Sequence, residues 1–312
     1  MTRSEATDYL KREALRLGFM EARVARAVFL AEEAPRLEEW LARGLHASMG
    51  YMTNHFDKRL DPRLLVPGAK SVVSLAFNYY PEPTDLEGEG RPRVARYAYG
   101  EDYHRVVKDR LFELLDSLRS AVGPVEGRCF VDSAPLMERA WAERSGLGWV
   151  GKNSLVLRKN AGSYFFLAEL VLDCDLVPDL PVADHCGSCT RCVDACPTQA
   201  IIAPKVVDSG RCISHATIEL HGALPRDMAE SLNPWVFGCD ICQEVCPWNR
   251  HSTPHQEPRF APGSWVSWTI EDWGQASEAA FAEAFGRSAA ARTGLERIQR
   301  NVSAAFGDRS AT

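Results

Sequence analysis

No stretch of the 312 residues approaches the ~20 consecutive apolar residues of a membrane-spanning helix, which excludes a helical membrane protein. The first residues, Met1-Thr2-Arg3-Ser4-Glu5, offer no apolar leader, so the expected location is the cytoplasm, off the membrane. Internal repeats and low-complexity segments are missing too. So is any excess of positive charge: 36 basic residues face 42 acidic ones, a formal net charge of −6. Nucleic-acid binders are more often basic, so a partner of that kind must meet a local basic patch. What is present is an ordinary globular composition, 46% hydrophobic and 25% charged, which excludes a largely disordered chain. The length allows one large domain or two to three ordinary ones.

The ten cysteines are not scattered. Eight lie between Cys186 and Cys246, while Cys129 and Cys174 stand alone in apolar surroundings and read as small buried hydrophobes. Without a leader, and with such tight spacing, a disulfide framework is excluded. Clustered thiols in a reducing compartment bind metal instead. The first run, Cys186-Gly-Ser-Cys189-Thr-Arg-Cys192-Val-Asp-Ala-Cys196-Pro197, has the bacterial ferredoxin spacing. Three thiolates two residues apart wrap one cubane, and small residues such as Gly187 and Ser188 let backbone N–H groups approach the sulfurs. The fourth cysteine points toward a second cluster. The second run, Cys239-Asp-Ile-Cys242-Gln-Glu-Val-Cys246-Pro247, lacks its first cysteine: Val236 stands there, and Cys212 is the substitute. The predicted wiring crosses over. Cys186, Cys189, Cys192 and Cys246 hold one 4Fe–4S cluster, and Cys212, Cys239, Cys242 and Cys196 hold the other. Two zinc sites are the alternative, since zinc also accepts four thiolates.

Elsewhere the pattern mixes helices and strands. Leu10, Ala14 and Leu17 define an opening helix that stops at Gly18. Strands are expected at about 71–77, 128–131 and 164–172. Val107, Leu111, Leu114 and Leu118 line a helix ending at Gly123-Pro124, and the Pro- and Gly-rich segment 81–92 reads as a loop. Ser133 is the expected N-cap of another helix, with Gly146 its end. Residues 1–180 thus form an α/β (α+β) domain, 181–250 a ferredoxin-like domain with two clusters, and 251–312 a short C-terminal tail, helical from about 276 to 305.

Two clusters alone describe an electron carrier, but a whole domain precedes them, so electrons are delivered to something bound there. It is not a dinucleotide on a glycine fingerprint. Gly146-Leu147-Gly148-Trp149-Val150-Gly151 has the formal spacing but follows a helix instead of opening one after a strand. The distinctive segments are Lys58-Arg59 with Asp61-Pro62-Arg63-Leu64-Leu65, Tyr99-Gly100-Glu101-Asp102-Tyr103-His104, and Val131-Asp132-Ser133-Ala134-Pro135-Leu136-Met137-Glu138-Arg139-Ala140. Others are Gly148-Trp149-Val150-Gly151-Lys152-Asn153, Arg211-Cys212-Ile213-Ser214, the two cysteine runs with Gly238, and Ile298-Gln299-Arg300-Asn301. With these segments the chain resembles the epoxyqueuosine reductases over most of its length.

The resemblance implies a cobalamin-binding domain ahead of the two clusters, and a reaction. The family reduces the epoxide of epoxyqueuosine in the tRNA anticodon wobble position to queuosine, taking in two electrons and two protons and releasing one water. It also implies an external electron donor, a flavodoxin, ferredoxin or similar protein, and a chain that acts as a monomer. Asp132 matches the family's proton donor. Read from the residues alone it lies where a strand ends and a helix begins, so it can equally assist the helix cap, whose dipole favours the carboxylate. Burial pushes the other way, and must win if Asp132 is to be an acid. Arg59, Asp102, Tyr103, His104, Arg139, Lys152, Asn153 and Ser154 fall in family motifs around the cobalamin. Arg139 can alternatively be a solvated helix residue, and the resemblance implies no histidine on cobalt. Ser214 and Asp240 flank cysteines of the second cluster and can reach the cofactor edge or form ordinary loop hydrogen bonds.

Family members often continue past the Ile-Gln-Arg-Asn segment into a helical-repeat domain; here 11 residues follow Asn301. Arg287, Arg292, Arg297, Arg300 and Arg309 outnumber Glu283, Glu296 and Asp308 in the tail, and Arg91, Arg93 and Arg96 form a second basic group. Phosphate contact is what a tRNA stem-loop requires. The rival readings are a small-molecule cobalamin reductase of the reductive dehalogenase kind and a non-catalytic electron-transfer protein.

Overall fold

The computed structural model describes residues 1–82 and 90–307. The first half runs α1 (Arg3–Arg16), β1 (Glu21–Arg26), α2 (Glu33–Ala42), α3 (Phe56–Leu60), β2 (Ser71–Asn78), β3 (Arg93–Val94), α4 (Tyr103–Val122), β4 (Gly127–Phe130), α5 (Glu138–Arg144), β5 (Trp149–Val150), β6 (Val156–Leu157) and β7 (Phe165–Leu172). Helix α1 begins at a reciprocal capping box between Thr2 and Glu5, and Gly18 follows its end at φ 91°.

Four of these strands make the central sheet, in the order β1-β2-β7-β4, with every pairing antiparallel. The mixed pattern read from the sequence therefore resolves into helices on both sides of an antiparallel sheet. Strands β2 and β7 are buried almost throughout, so they read as near-continuous apolar runs. Val73, Leu75, Phe77, Ala168 and Leu170 meet α1 and α4 on one face. Val72 and Val171 meet Leu37, Leu60, Ala140 and Trp141 from α2, α3 and α5 on the other.

The cysteine-bearing half adds α6 (Arg191–Asp194), β8 (Ile201–Ala203), β9 (Val206–Val207), α7 (Ile213–Ile218), α8 (Arg226–Ser231), β10 (Trp235–Phe237) and α9 (Ile241–Glu244). The chain then continues through α10 (Ile270–Gln275), α11 (Glu278–Phe285) and α12 (Leu295–Phe306). Packing crosses the linear segments. Strand β10 pairs in parallel with β3, and Phe260 enters the first core edge-on to Phe77 and Phe166. Trp265, Trp273, Phe285 and Ile298 enclose Val94, Ala98 and Tyr99. The Ile-Gln-Arg-Asn segment has a structural job here. Asn301 is fully buried and ties α12 to the Thr217 and Val236 carbonyls, and Arg300 donates to the carbonyls of Ala216, Leu220 and Gly222.

One expected element differs. Helix α5 starts at Glu138, not beside Ser133, and its N-cap position is Met137. Pro135 explains the delay, because the residue before a proline avoids the α region. Residues 131–137 instead form a loop in which Asp132 takes φ 55°. Asp132 is therefore not at a helix N-terminus, and the helix-dipole argument for its ionisation does not apply. Of the expected loop at 81–92, residues 83–89 lie outside the described residues, as do Asp308 and Arg309. No helix among the described residues is long and apolar enough to cross a membrane.

Candidate functional site

The end of β4 and the start of α4 bring three side chains to one oxygen. Asp132 Oδ2 accepts the Tyr103 hydroxyl at 2.5 Å and lies 3.3 Å from His104 Nε2. The other imidazole nitrogen, Nδ1, is 2.7 Å from Asp102 Oδ1. Asp102 also caps α4 by accepting the His104 N–H, so one carboxylate fixes both the helix start and the imidazole. The Tyr103 ring is sandwiched between His104 and Phe166, at centroid distances of 4.1 and 4.2 Å. The His104 imidazole is thus held between the carboxylates of Asp102 and Asp132.

Its electrostatics follow from that geometry. Burial opposes a charge on His104, but the carboxylates at its two nitrogens override burial and raise its pKa to about 9. Burial alone would raise Asp132; the hydrogen bonds from His104 and Tyr103 reverse this and hold it below its ordinary value. Arg292, which the sequence places only in a basic tail, adds to this pull. Near neutral pH the proton rests on His104 and the charge on Asp132. The Asp132 side chain is nonetheless 53% accessible, so its carboxylate can be reached by a bound molecule.

Two further carboxyls went unassigned in the sequence. Glu138 Oε1 accepts the Asp132 N–H at 2.5 Å. Glu169, on β7, is fully buried, and neither of its oxygens has a hydrogen-bond partner among the described residues. A lone acid inside the apolar strand Phe165–Leu172 was the available signal.

The other expected site residues divide by what they touch. Arg139 donates to the Ser154 carbonyl at 2.7 Å, and Ser154, at φ 63°, keeps a buried hydroxyl without a partner among the described residues. Arg59 is spent on the Tyr51 and Asn54 carbonyls. Lys152 donates to the carbonyls of Gly187 and Cys189, and Asn153 to that of Cys242, so both brace the cysteine loops. Asp240 is buried and receives the backbone N–H of Arg96. Ser214 accepts through its carbonyl from Thr217. Of the basic groups, Arg93 and Arg96 pair with Glu244, Arg287 pairs with Glu101, and Arg297 bonds main-chain carbonyls.

All ten cysteines are free thiols. Cys186, Cys189, Cys192 and Cys246 line one recess of about 200 Å³ with Lys152 and Trp248. A second group gathers Cys196, Cys212, Cys239 and Cys242. Burial first, then the neighbouring thiols, raise the pKa values of Cys212, Cys239 and Cys242. Backbone N–H groups of Ser214 and His215 point to the Cys212 sulfur, and Ala200 N–H donates to Cys196 Sγ at 3.3 Å. Such groups lower the cost of concentrating thiolate charge. Among the described residues no three His, Cys, Asp or Glu side chains converge tightly enough for a single metal ion. Cys129 is buried in the first core and Cys174 packs against it; burial lifts the Cys129 thiol to about 12.

Comparisons with known proteins agree with this layout. Residues 59–133 match a family model described as epoxyqueuosine reductase QueG, DUF1730, and residues 185–249 match a 4Fe-4S double cluster binding domain. An epoxyqueuosine reductase of Cellulophaga algicola is 51% identical over 302 residues, 96% of this chain and 98% of that protein. One from Pseudomonas aeruginosa is 42% identical over 95% of this chain and 83% of its own length. Among solved structures, an epoxyqueuosine reductase with an epoxyqueuosine-modified tRNA-Tyr stem loop superposes with a TM-score of 0.88 at 32% identity, covering 96% of this chain and 80% of that one. A Bacillus subtilis epoxyqueuosine reductase, solved with its catalytic aspartate loop swung out of the active site, has a TM-score of 0.87, also at 32% identity, over 96% of this chain and 81% of its own.

Proposed function

The chain belongs to the epoxyqueuosine reductase family and is an oxidoreductase, and from that premise we propose that it reduces the epoxide of epoxyqueuosine in the tRNA anticodon wobble position to queuosine, with Asp132 as proton donor. The observation that carries this is the convergence of Tyr103 and His104 on Oδ2 of the accessible Asp132 carboxylate. The related enzyme bound to a modified tRNA stem loop supports the substrate.

The overall change takes in two electrons and two protons and expels one water. The oxygen leaving carbon would depart as an alkoxide, and a positioned acid is worth about 10²–10⁴-fold. The Asp102–His104–Asp132 chain holds one proton ready. A substrate seated over the accessible carboxylate removes water, which favours the neutral pair, carboxylic acid with neutral imidazole, over the ion pair. The proton then moves from His104 Nε2 to Asp132, and from Asp132 to the epoxide oxygen. Tyr103, hydrogen-bonded to the same oxygen, keeps the carboxyl aimed.

The double-cluster domain fits its cofactors by its donor set: eight free thiols in two groups of four, with backbone N–H groups aimed at sulfur. We assign Cys186, Cys189, Cys192 and Cys246 to one cluster and Cys196, Cys212, Cys239 and Cys242 to the other. Cobalamin would be held by the Ser154 hydroxyl, buried without a partner among the described residues, and by the neighbouring Arg139 side chain, which would meet its amide fringe. When bound, cobalamin supplies a low-valent metal centre able to reduce the carbon framework. Arg59, Lys152, Asn153 and Asp240 act on the protein loops that frame that space. A flavodoxin- or ferredoxin-like protein of the cytoplasm delivers the electrons. The test is anaerobic purification with added cobalamin, then nucleoside analysis of tRNA incubated with protein and reductant. Queuosine should appear at the expense of epoxyqueuosine. Intact clusters with neither cobalamin binding nor conversion would favour an electron carrier.

A further inference from the structure

Asp132 holds φ 55°, a left-handed conformation that costs a residue with a Cβ about 1 kcal/mol or more. Such a residue stays put only if its surroundings hold it. The loop gives it little: within residues 131–137 the main chain closes Ser133 N–H to Val131 O and Leu136 N–H to Ala134 O. The Asp132 N–H itself is taken by a side chain, Glu138 Oε1, at 2.5 Å. Glu138 opens α5, which is anchored in the second core through Ala140 and Trp141.

Beneath Glu138 lies Glu169. It sits mid-sheet, opposite Ser74 on β2 and Phe130 on β4, fully buried, and the Ser74 hydroxyl is also without a partner among the described residues. The charged groups facing this pair are Asp132 from the loop and Arg139 from α5. Burial, then the Asp132 charge, raise Glu138 to about 8. Burial and Glu138 push Glu169 well above the carboxylate range, so Glu169 stays neutral. In the Bacillus subtilis relative the corresponding loop has been seen swung out, so the segment can leave the site in that protein.

We propose that Glu138 is a positioning residue for the acid: its carboxyl latches the Asp132 N–H, with buried Glu169 as a neutral backstop, and so sets how often Asp132 faces the substrate. The latch needs only an acceptor oxygen at that place. It rests on Asp132 being the acid, and the experiment separates the two.

Four proteins are compared for kcat and KM on epoxyqueuosine tRNA, cluster content, cobalamin binding and deuterium exchange across residues 131–137: wild type, Glu138→Met, Glu138→Gln and Asp132→Asn. Methionine matches glutamate in length but cannot accept the N–H. It should lower kcat by about 10–100-fold, the usual effect of misplacing a catalytic group, with KM and cofactors unchanged and faster exchange in the loop. Glutamine keeps an acceptor oxygen and should recover most of the rate. A wild-type kcat in Glu138→Met, or equal losses in the Met and Gln variants, overturns the latch. If Asp132→Asn is inactive while Glu138→Met is fully active, only the latch fails; if Asp132→Asn is active, the acid assignment itself fails. Should Glu138→Met not fold, Glu138→Ala takes its place: a kcat loss with faster loop exchange supports the latch, and a wild-type kcat overturns it.

Discussion

His104 Nε2 lies 3.3 Å from Asp132 Oδ2, while its Nδ1 lies 2.7 Å from Asp102 Oδ1, so one imidazole is clamped between two carboxylates. The acid is therefore a pair sharing a proton instead of a lone carboxyl whose pKa burial has lifted. Burial does not win on Asp132, as the sequence required of a carboxyl acting alone: His104 holds it ionised, so the proton has to come through the histidine.

This places a pH limb on turnover. His104 has its pKa raised to about 9, so its proton is present below that value and lost as pH rises through it. The single-turnover rate should be flat at neutral pH and fall above about pH 9. In His104→Gln the cation that holds Asp132 down is gone, burial then dominates, and the limb should move to lower pH with a reduced rate near neutrality. An unchanged limb in the variant would assign the proton to another group.

Cluster wiring is tested by composition. Anaerobically reconstituted protein should carry about eight iron and eight sulfide per chain, as two four-cysteine sites require. Cys212→Ala should lose about half of that iron, while Cys129→Ala should lose none, because Cys129 is packed in the apolar core. Two zinc per chain and no acid-labile sulfide would contradict the assignment.

The buried carboxyls make stability depend on pH. Glu138 and Glu169 have folded-state pKa values raised above those of the unfolded chain. Their contribution is fully present below about pH 4.5 and is lost as pH rises, for Glu138 through about 8. Glu169→Gln removes one titrating group, so its melting temperature should gain on wild type as pH rises above about 4.5. Parallel curves for the two proteins would mean that Glu169 is not held neutral.

Much of this is legible in the residues and some is not. Cysteine spacing makes the run 186–192 legible because that loop is local and a few residues of backbone set its geometry, whereas each four-cysteine set proposed above takes members from distant segments. The helix 103–122 follows from side-chain periodicity, and the strands 71–78 and 165–172 from short, near-continuous apolar runs. The start of α5 is misleading in the sequence because Ser133 looks like a cap, whereas Pro135 keeps Ala134 out of the helical region and the bent loop 132–135 delays the helix to Glu138. Strands β3 and β10 leave no signal because each is very short and exists only through a partner far away in the chain. The roles of Lys152 and Asn153 are hidden for the same reason, since their partners are main-chain carbonyls of distant cysteine loops.

The central claim is that Asp132 delivers the proton to the opening epoxide, and one variant tests it most directly. Asp132→Asn keeps size and polarity, and its amide can still accept from Tyr103 and His104. The variant should fold, keep both clusters and bind cobalamin, yet convert epoxyqueuosine tRNA about 10²-fold or more slowly than wild type, without the high-pH limb. Turnover within a few-fold of wild type would contradict the account.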